Sequence, residues 1–262
     1  MRPISLLKIL AVGGLLATSA SIANAAVVRV TEANFDAGAG IITFSEFAIG
    51  TVNPTYTAAD YGGGAGSPTV TTGGYFTGQS LSATPGIDCP GAAASACVVG
   101  TPTGSLSLDA GSPDVFITTD GAFPTSPTLS GSPRFNGPIA LLFDVDQLAV
   151  GFEGGYFNAI GSTGITAFSR DGTILGTVAN ETIGIEFLGL ISATGVAEIA
   201  GVFLDLVGAE PAGFNIDNLR FGVAGNIIVP PGVSPVPLPA GLPLLLGGLG
   251  LIGFFGRRKK SV

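Results

Sequence analysis

The chain of 262 residues has no histidine and no tryptophan, only two cysteines, and only ten lysines and arginines against eighteen acidic residues. Each shortage removes a class of function. Without histidine there is no Ser-His-Asp triad, no His-bearing zinc site and no facial-triad iron site. Cys89 and Cys97, in "IDCPGAAASACVVG", have no histidine to serve as a catalytic base. The glycine run at 62–66, "GGGAG", is followed by neither Lys-Ser/Thr nor a helical pattern, so it is not a phosphate loop. The lack of tryptophan and the mere four tyrosines make the chain lean in the flat rings on which sugars stack.

What is present begins at the ends. Arg2 and Lys8 precede a short apolar run, Ile9 to Ala17, and Ala23-Asn24-Ala25 supplies a small-x-small site. That order is a secretory signal peptide, residues 1–25, cleaved after Ala25 and read by the Sec translocation machinery. An exported chain with two cysteines eight positions apart is expected to join Cys89 and Cys97 in a local disulfide. The other end reads "VPLPAGLPLLLGGLGLIGFFGRRKK", Val236 to Lys260. Twenty residues from Val236 to Phe255 would reach about 30 Å as a helix, barely a membrane core. Pro237, Pro239 and Pro243 oppose helix at the front, so the expected transmembrane helix is short, Leu244 to Phe255. Arg257, Arg258, Lys259 and Lys260 then form a stop-transfer cluster held on the cytoplasmic side.

Val236-Pro237-Leu238-Pro239-Ala240, the Leu/Gly run and the basic end together resemble a PEP-CTERM protein-sorting signal, with Leu238 where the eponymous pattern has Glu. The resemblance covers residues 236–260. It implies a Gram-negative producer of exopolysaccharide and recognition by an exosortase-type membrane protease that cuts near the proline motif. It also implies an inner-membrane-anchored precursor that ends at the cell surface or in the extracellular matrix.

Between the ends the charge balance changes. Four arginines (Arg29, Arg134, Arg170, Arg220) face all eighteen carboxylates, a net of −14, which excludes nucleic acid as a partner. Residues 26–222 are expected to form one domain, with 223–235 a linker. Forty-two glycines and short alternating runs such as "AVVRV", "IITFSEF", "GSLSLDA", "DVFITTD" and "PIALLFDV" predict an all-β fold, an antiparallel β-sandwich or jelly roll. "ITAFSRDGTILGTV" predicts a hairpin with a type I′ turn at Asp171-Gly172. "YGGGAGSPTVTTGGYFTG" and the segment around Cys89 read as long surface loops. The stretch from Ala149 to Gly222 is similar to the C-terminal half of β-sandwich modules found in PEP-CTERM proteins, themselves reminiscent of jelly-roll carbohydrate-binding folds.

Three kinds of site are expected. The alternation of "FNIDNLRF" breaks at Asp217-Asn218, and these two with Glu46 are candidate ligands for calcium, which takes about six to eight oxygens. Against that stands a simple turn cap by Asp217. In "GFEGGYFNAIG", Tyr156 and Asn158, with Tyr75 as a further ring, are candidates for stacking on and hydrogen bonding to a sugar, while Phe152 and Phe157 read as core. A hydrolytic pair of carboxylates about 5–9.5 Å apart cannot be singled out among eighteen. The expected function is therefore a non-catalytic structural or adhesive module associated with exopolysaccharide. A calcium-dependent lectin is the alternative, and a glycan-active hydrolase the third reading.

Overall fold

The computed structural model describes residues 27–123, 127–206 and 208–233. The expected signal peptide and the sorting tail lie outside these residues. Among the described residues no helix is long and apolar enough to cross a membrane.

The described chain is all-β. Its strands begin with β1 (Val27–Val30), β2 (Gly40–Ile42), β3 (Thr55–Tyr56), β4 (Val70–Gly73) and β5 (Gln79–Leu81). There follow β6 (Val98–Gly100), β7 (Val115–Thr119), β8 (Pro127–Gly131), β9 (Ile139–Gln147) and β10 (Ala149–Phe157). The last five are β11 (Thr163–Phe168), β12 (Ile174–Ala179), β13 (Gly184–Ser192), β14 (Ile199–Leu206) and β15 (Asn215–Gly222). A seven-stranded sheet runs β1-β13-β10-β15-β8-β7, with β2 also paired to β15, and a six-stranded sheet runs β12-β11-β14-β9-β4-β3. Strands β5 and β6 pair apart from both. The named strand pairs are antiparallel.

The two sheets share one core. Val150, Phe152, Leu188, Leu190, Ile216 and Phe221 from one sheet pack with Ile139, Leu141, Phe143, Ile165, Val202 and Leu204 from the other. The rings of Phe143 and Phe221 meet across the interlayer space at 5.4 Å. Burial of each such side chain contributes about 1.5–3 kcal/mol, which makes this layer the main source of cohesion.

Both outer faces are also partly covered, and this explains several differences from the sequence reading. Phe76 and Leu106 pack with Ala140, Phe168, Ala200 and Phe203 in a second cluster on the six-stranded sheet. Phe35, Ile227 and Val233 pack with Leu148, Ala149 and Ile191 on the other sheet. Strands covered on two sides lose alternation: every residue of β11 is buried, as are the last five of β13. Strand β13, which joins β1 to β10, was not anticipated for this reason. Strand β4 lies inside "YGGGAGSPTVTTGGYFTG", so that stretch is not a continuous surface loop; Val70–Gly73 pairs with β9. Conversely, "GSLSLDA" forms no strand beyond a bridge from Leu108 to Phe76.

The β11–β12 hairpin forms as expected, with a different turn. Gly172 has φ +85°, but Asp171 is not among the positive-φ residues, so the type I′ geometry is absent. The Gly172 N–H donates to Ser169 O at 2.9 Å and the Ser169 N–H to Thr173 O at 2.9 Å, while the ladder's own register shift lies further on, at Leu175. That is a three-residue connection whose glycine makes a bulge. The Asp171 carboxylate caps the turn, accepting from the Thr173 N–H at 3.0 Å and from the Ser169 hydroxyl. These bonds hold its pKa down at about 2.

Cys89 and Cys97 are joined, with their Cα atoms 5.9 Å apart, and both are buried in the main core. Ala92 packs against that core as well. The cysteine segment is therefore an ordered lid on one end of the sandwich.

Residues 223–233 do not hang free of the body. The Ile228 N–H donates to Asn34 O at 2.7 Å, the Asn34 side chain returns a bond to Ile228 O at 2.8 Å, and Phe35 bridges to Ile227.

Candidate functional site

The site lies at the end of the sandwich where β10 finishes and β15 begins. Four segments meet there: Gly155-Tyr156 at the end of β10, Ala212-Gly213-Phe214 entering β15, Asp120 after β7, and Phe135 after β8. They line an open cleft of about 120 Å³.

Tyr156 is 55% exposed in a strand whose other aromatic residues, Phe152 and Phe157, are buried in the core. Its ring lies beside Gly184 on β13, 3.6 Å from where a β-carbon on that glycine would stand. Across the cleft, the Asp120 carboxylate accepts the Ala122 N–H at 2.9 Å and the Asn215 amide at 3.3 Å. Asn215 is fully buried and spends its amide hydrogens on Asp120 and on the Thr128 hydroxyl, 2.8 Å away. Phe135 is held in a left-handed conformation, φ +68°. The Phe214 N–H donates to the Phe135 carbonyl at 2.6 Å. The guanidinium of Arg134 lies 4.5 Å from the centre of the Phe135 ring and also bonds the Thr119 carbonyl.

The cleft wall is braced from behind by Glu210, which is wholly inaccessible to solvent. Its Oε2 faces the Asn158 N–H at 3.0 Å and the Ser162 hydroxyl at 2.9 Å. Among the described residues its Oε1 accepts no bond of full geometry, with the Thr163 hydroxyl beside it. Burial raises the Glu210 pKa above the usual carboxylate range, partly offset by Asn158, Ser162 and Thr163. The Ser162 hydroxyl lies 2.7 Å from Ala159 O as well as 2.9 Å from Glu210 Oε2, so its one hydrogen is shared between the two.

Sequence-expected residues divide accordingly. Tyr156 lines the cleft. Asn158 does not; its Oδ1 accepts the Ala212 N–H at 3.1 Å, and its own N–H goes to Glu210. Asn158 thus shapes the wall. Tyr75 is a partly buried neighbour of the outer cluster on the six-stranded sheet. Asp120, Phe135 and Glu210 were not anticipated. The signal for Asp120 was slight, a "TDGA" turn in which an aspartate caps its own backbone.

The three candidate calcium residues sit near adjoining strands, β2 and β15. Strand β15 bulges opposite Phe152, and Asn218 has φ +47° there. The Asn218 amide donates to Glu153 at 2.7 Å, while the Asp217 carboxylate accepts the Asn218 N–H at 2.7 Å. Glu46 accepts from the Thr43 N–H at 2.8 Å and the Thr43 hydroxyl at 3.0 Å. Among the described residues, no three acidic, histidine or cysteine side chains gather closely enough to hold a metal. Calcium would therefore have to draw mostly on carbonyls and water here.

The arginines are committed elsewhere. Arg29 pairs with Glu186 at 3.0 Å and Glu181 at 3.2 Å, Arg170 with Asp146 at 2.5 Å, and Arg220 with Glu32. No family model and no curated protein matches the chain.

Proposed function

We propose that this chain is an exported protein, sorted through the signal at 236–260 and processed by an exosortase-type protease. In this reading its precursor is anchored in the inner membrane of a Gram-negative bacterium. Its body then acts at the cell surface or in the extracellular matrix as a non-catalytic structural or adhesive module on exopolysaccharide. The terminal motifs support the sorting part. The winding of the last eight strands supports a jelly-roll reading of the body: β8-β15-β10-β13 in one sheet faces β9-β14-β11-β12 in the other, the strand sequence of two nested Greek keys.

The observation that carries the module reading is the end cleft, where an exposed aromatic ring stands across from a carboxylate. Asp120 is the one acidic residue in its described lining, whereas glycoside hydrolysis calls for a pair. A ring facing a single carboxylate supports holding a sugar rather than cleaving it.

The test is co-sedimentation of the full chain, in a sugar-free detergent, with the producing organism's own exopolysaccharide, first in calcium and then in EDTA. Saturable pelleting that survives EDTA is expected. Pelleting abolished by EDTA would replace the proposal with the calcium-dependent lectin, and no pelleting in either condition would sink the matrix reading. For sorting, removal of residues 236–262 is expected to abolish processing while leaving export intact.

A further inference from the structure

We infer that the cleft between Tyr156 and Asp120 is a subsite for a single neutral hexopyranose unit of a polysaccharide, one apolar ring face lying on Tyr156 and hydroxyl groups donated to Asp120. The inference rests on the proposed association with exopolysaccharide and adds its place and its chemical class.

Four observations lead there. The Tyr156 ring is exposed beside Gly184, a residue with no side chain to cover it. An exposed ring gains from being covered, and the C–H face of a pyranose covers it while leaving the hydroxyls at its edge free to bond. Asp120 provides those bonds. An ionised carboxylate accepts at about four lone-pair positions, and here one firm bond at 2.9 Å and one long bond at 3.3 Å are taken.

Size limits the occupant. A cleft of about 120 Å³ is well below the roughly 300–1,000 Å³ of pockets that enclose a whole small ligand. It takes one ring of a longer chain, and the remainder lies outside.

Charge sets the class. Among the described residues no cation lines the cleft. Arg134, beside the lining residue Phe135, is laid over that ring and bonded to the Thr119 carbonyl. A uronate or sulfated unit would meet Asp120 with only this already engaged guanidinium as a counter-charge, on a body of net charge −14. Neutral hexoses carry no such penalty.

The experiment titrates the full chain, in sugar-free detergent, with neutral hexaoses (cello-, manno- and laminari-) and with hexagalacturonate, by calorimetry. Tyr156→Ala, Tyr156→Phe and Asp120→Asn are compared, with melting curves as a control for folding. At least one neutral hexaose is expected to bind, about tenfold or more weaker with Tyr156→Ala and with Asp120→Asn, and close to unchanged with Tyr156→Phe; hexagalacturonate is expected not to bind. Neutral binding indifferent to Tyr156→Ala and Asp120→Asn would overturn the subsite. Preference for hexagalacturonate would overturn the class. Pelleting with exopolysaccharide but no hexaose binding would overturn the subsite and leave the broader function standing. Absence of pelleting would remove that function itself.

Discussion

Replacing Gly213 with alanine separates two energies that act on the cleft. Gly213 has φ +81°, and a β-carbon there would stand 1.9 Å from the Phe135 carbonyl oxygen and 2.5 Å from Asn136 Oδ1. That oxygen cannot retreat freely, because it accepts the Phe214 N–H at 2.6 Å. A left-handed conformation costs a non-glycine residue about 1–2 kcal/mol, and forcing atoms into a filled space adds about 1–3 kcal/mol. The expected loss is therefore about 2–5 kcal/mol, toward the upper end because the obstacle is backbone. In a domain of this size each kcal/mol lowers Tm by about 2–4 °C. Gly161→Ala is the matched control: φ is +70° and nothing lies within 4 Å of the added carbon, so only the conformational part, about 1–2 kcal/mol, applies. Urea denaturation of both variants measures the difference. The Gly213 variant should also lose hexaose binding, since its collision displaces the wall carrying Phe135. Equal losses in the two variants would refute the claim that Phe135 and Gly213 are locked together.

Other expectations follow from single groups. Glu210 has a raised folded pKa, so the native state holds more protons than the unfolded chain between the ordinary glutamate value and the raised one. Stability should fall as pH rises through that window. Glu210→Gln should flatten this part of the Tm-versus-pH curve; a curve identical to that of the unaltered protein would show that Glu210 does not titrate as argued. Tyr56 is fully buried and its hydroxyl has no partner among the described residues; burial, then the Glu46 and Asp60 carboxylates, push its pKa far up, so the proton stays on. Tyr56→Phe should raise stability by about 1 kcal/mol, and a loss in urea melts would mean that the hydroxyl is bonded. Reducing Cys89–Cys97 should cost about 2–3 kcal/mol for so short a loop, read as a lower midpoint in dithiothreitol.

The sequence was most legible where one physical pattern ruled. Strands β9, β10, β14 and β15 and the β11–β12 hairpin carry dense apolar runs between turn residues, and they formed. Strands β4 and β13 did not announce themselves because glycine-rich or doubly covered strands have no polar face to mark the period. Tyr156 could be picked out as an aromatic after a glycine pair. Asp120 and Phe135 could not, since nothing local says that loops after β7 and β8 fold back against the entry to β15. Asn158 misled for a related reason: a polar side chain beside an aromatic is equally useful for holding the next loop, and here it does that.

The clip between residues 31–38 and 226–228 has a mechanical meaning. A pull on the chain beyond Val233 reaches Ile228 before it reaches β15. The first bonds to bear the load are those of Ile228 with Asn34 and of Asn226 with Gly38 and Asp36. These few bonds, with the small apolar cluster of Phe35, Ile227 and Val233, stand between the pull and the sheet. The clip is a fuse in series with the sheet: tension spends itself on a short, re-formable segment while β15, wedged between β10 and its neighbours β2 and β8, and with it the Tyr156 cleft, stays in place.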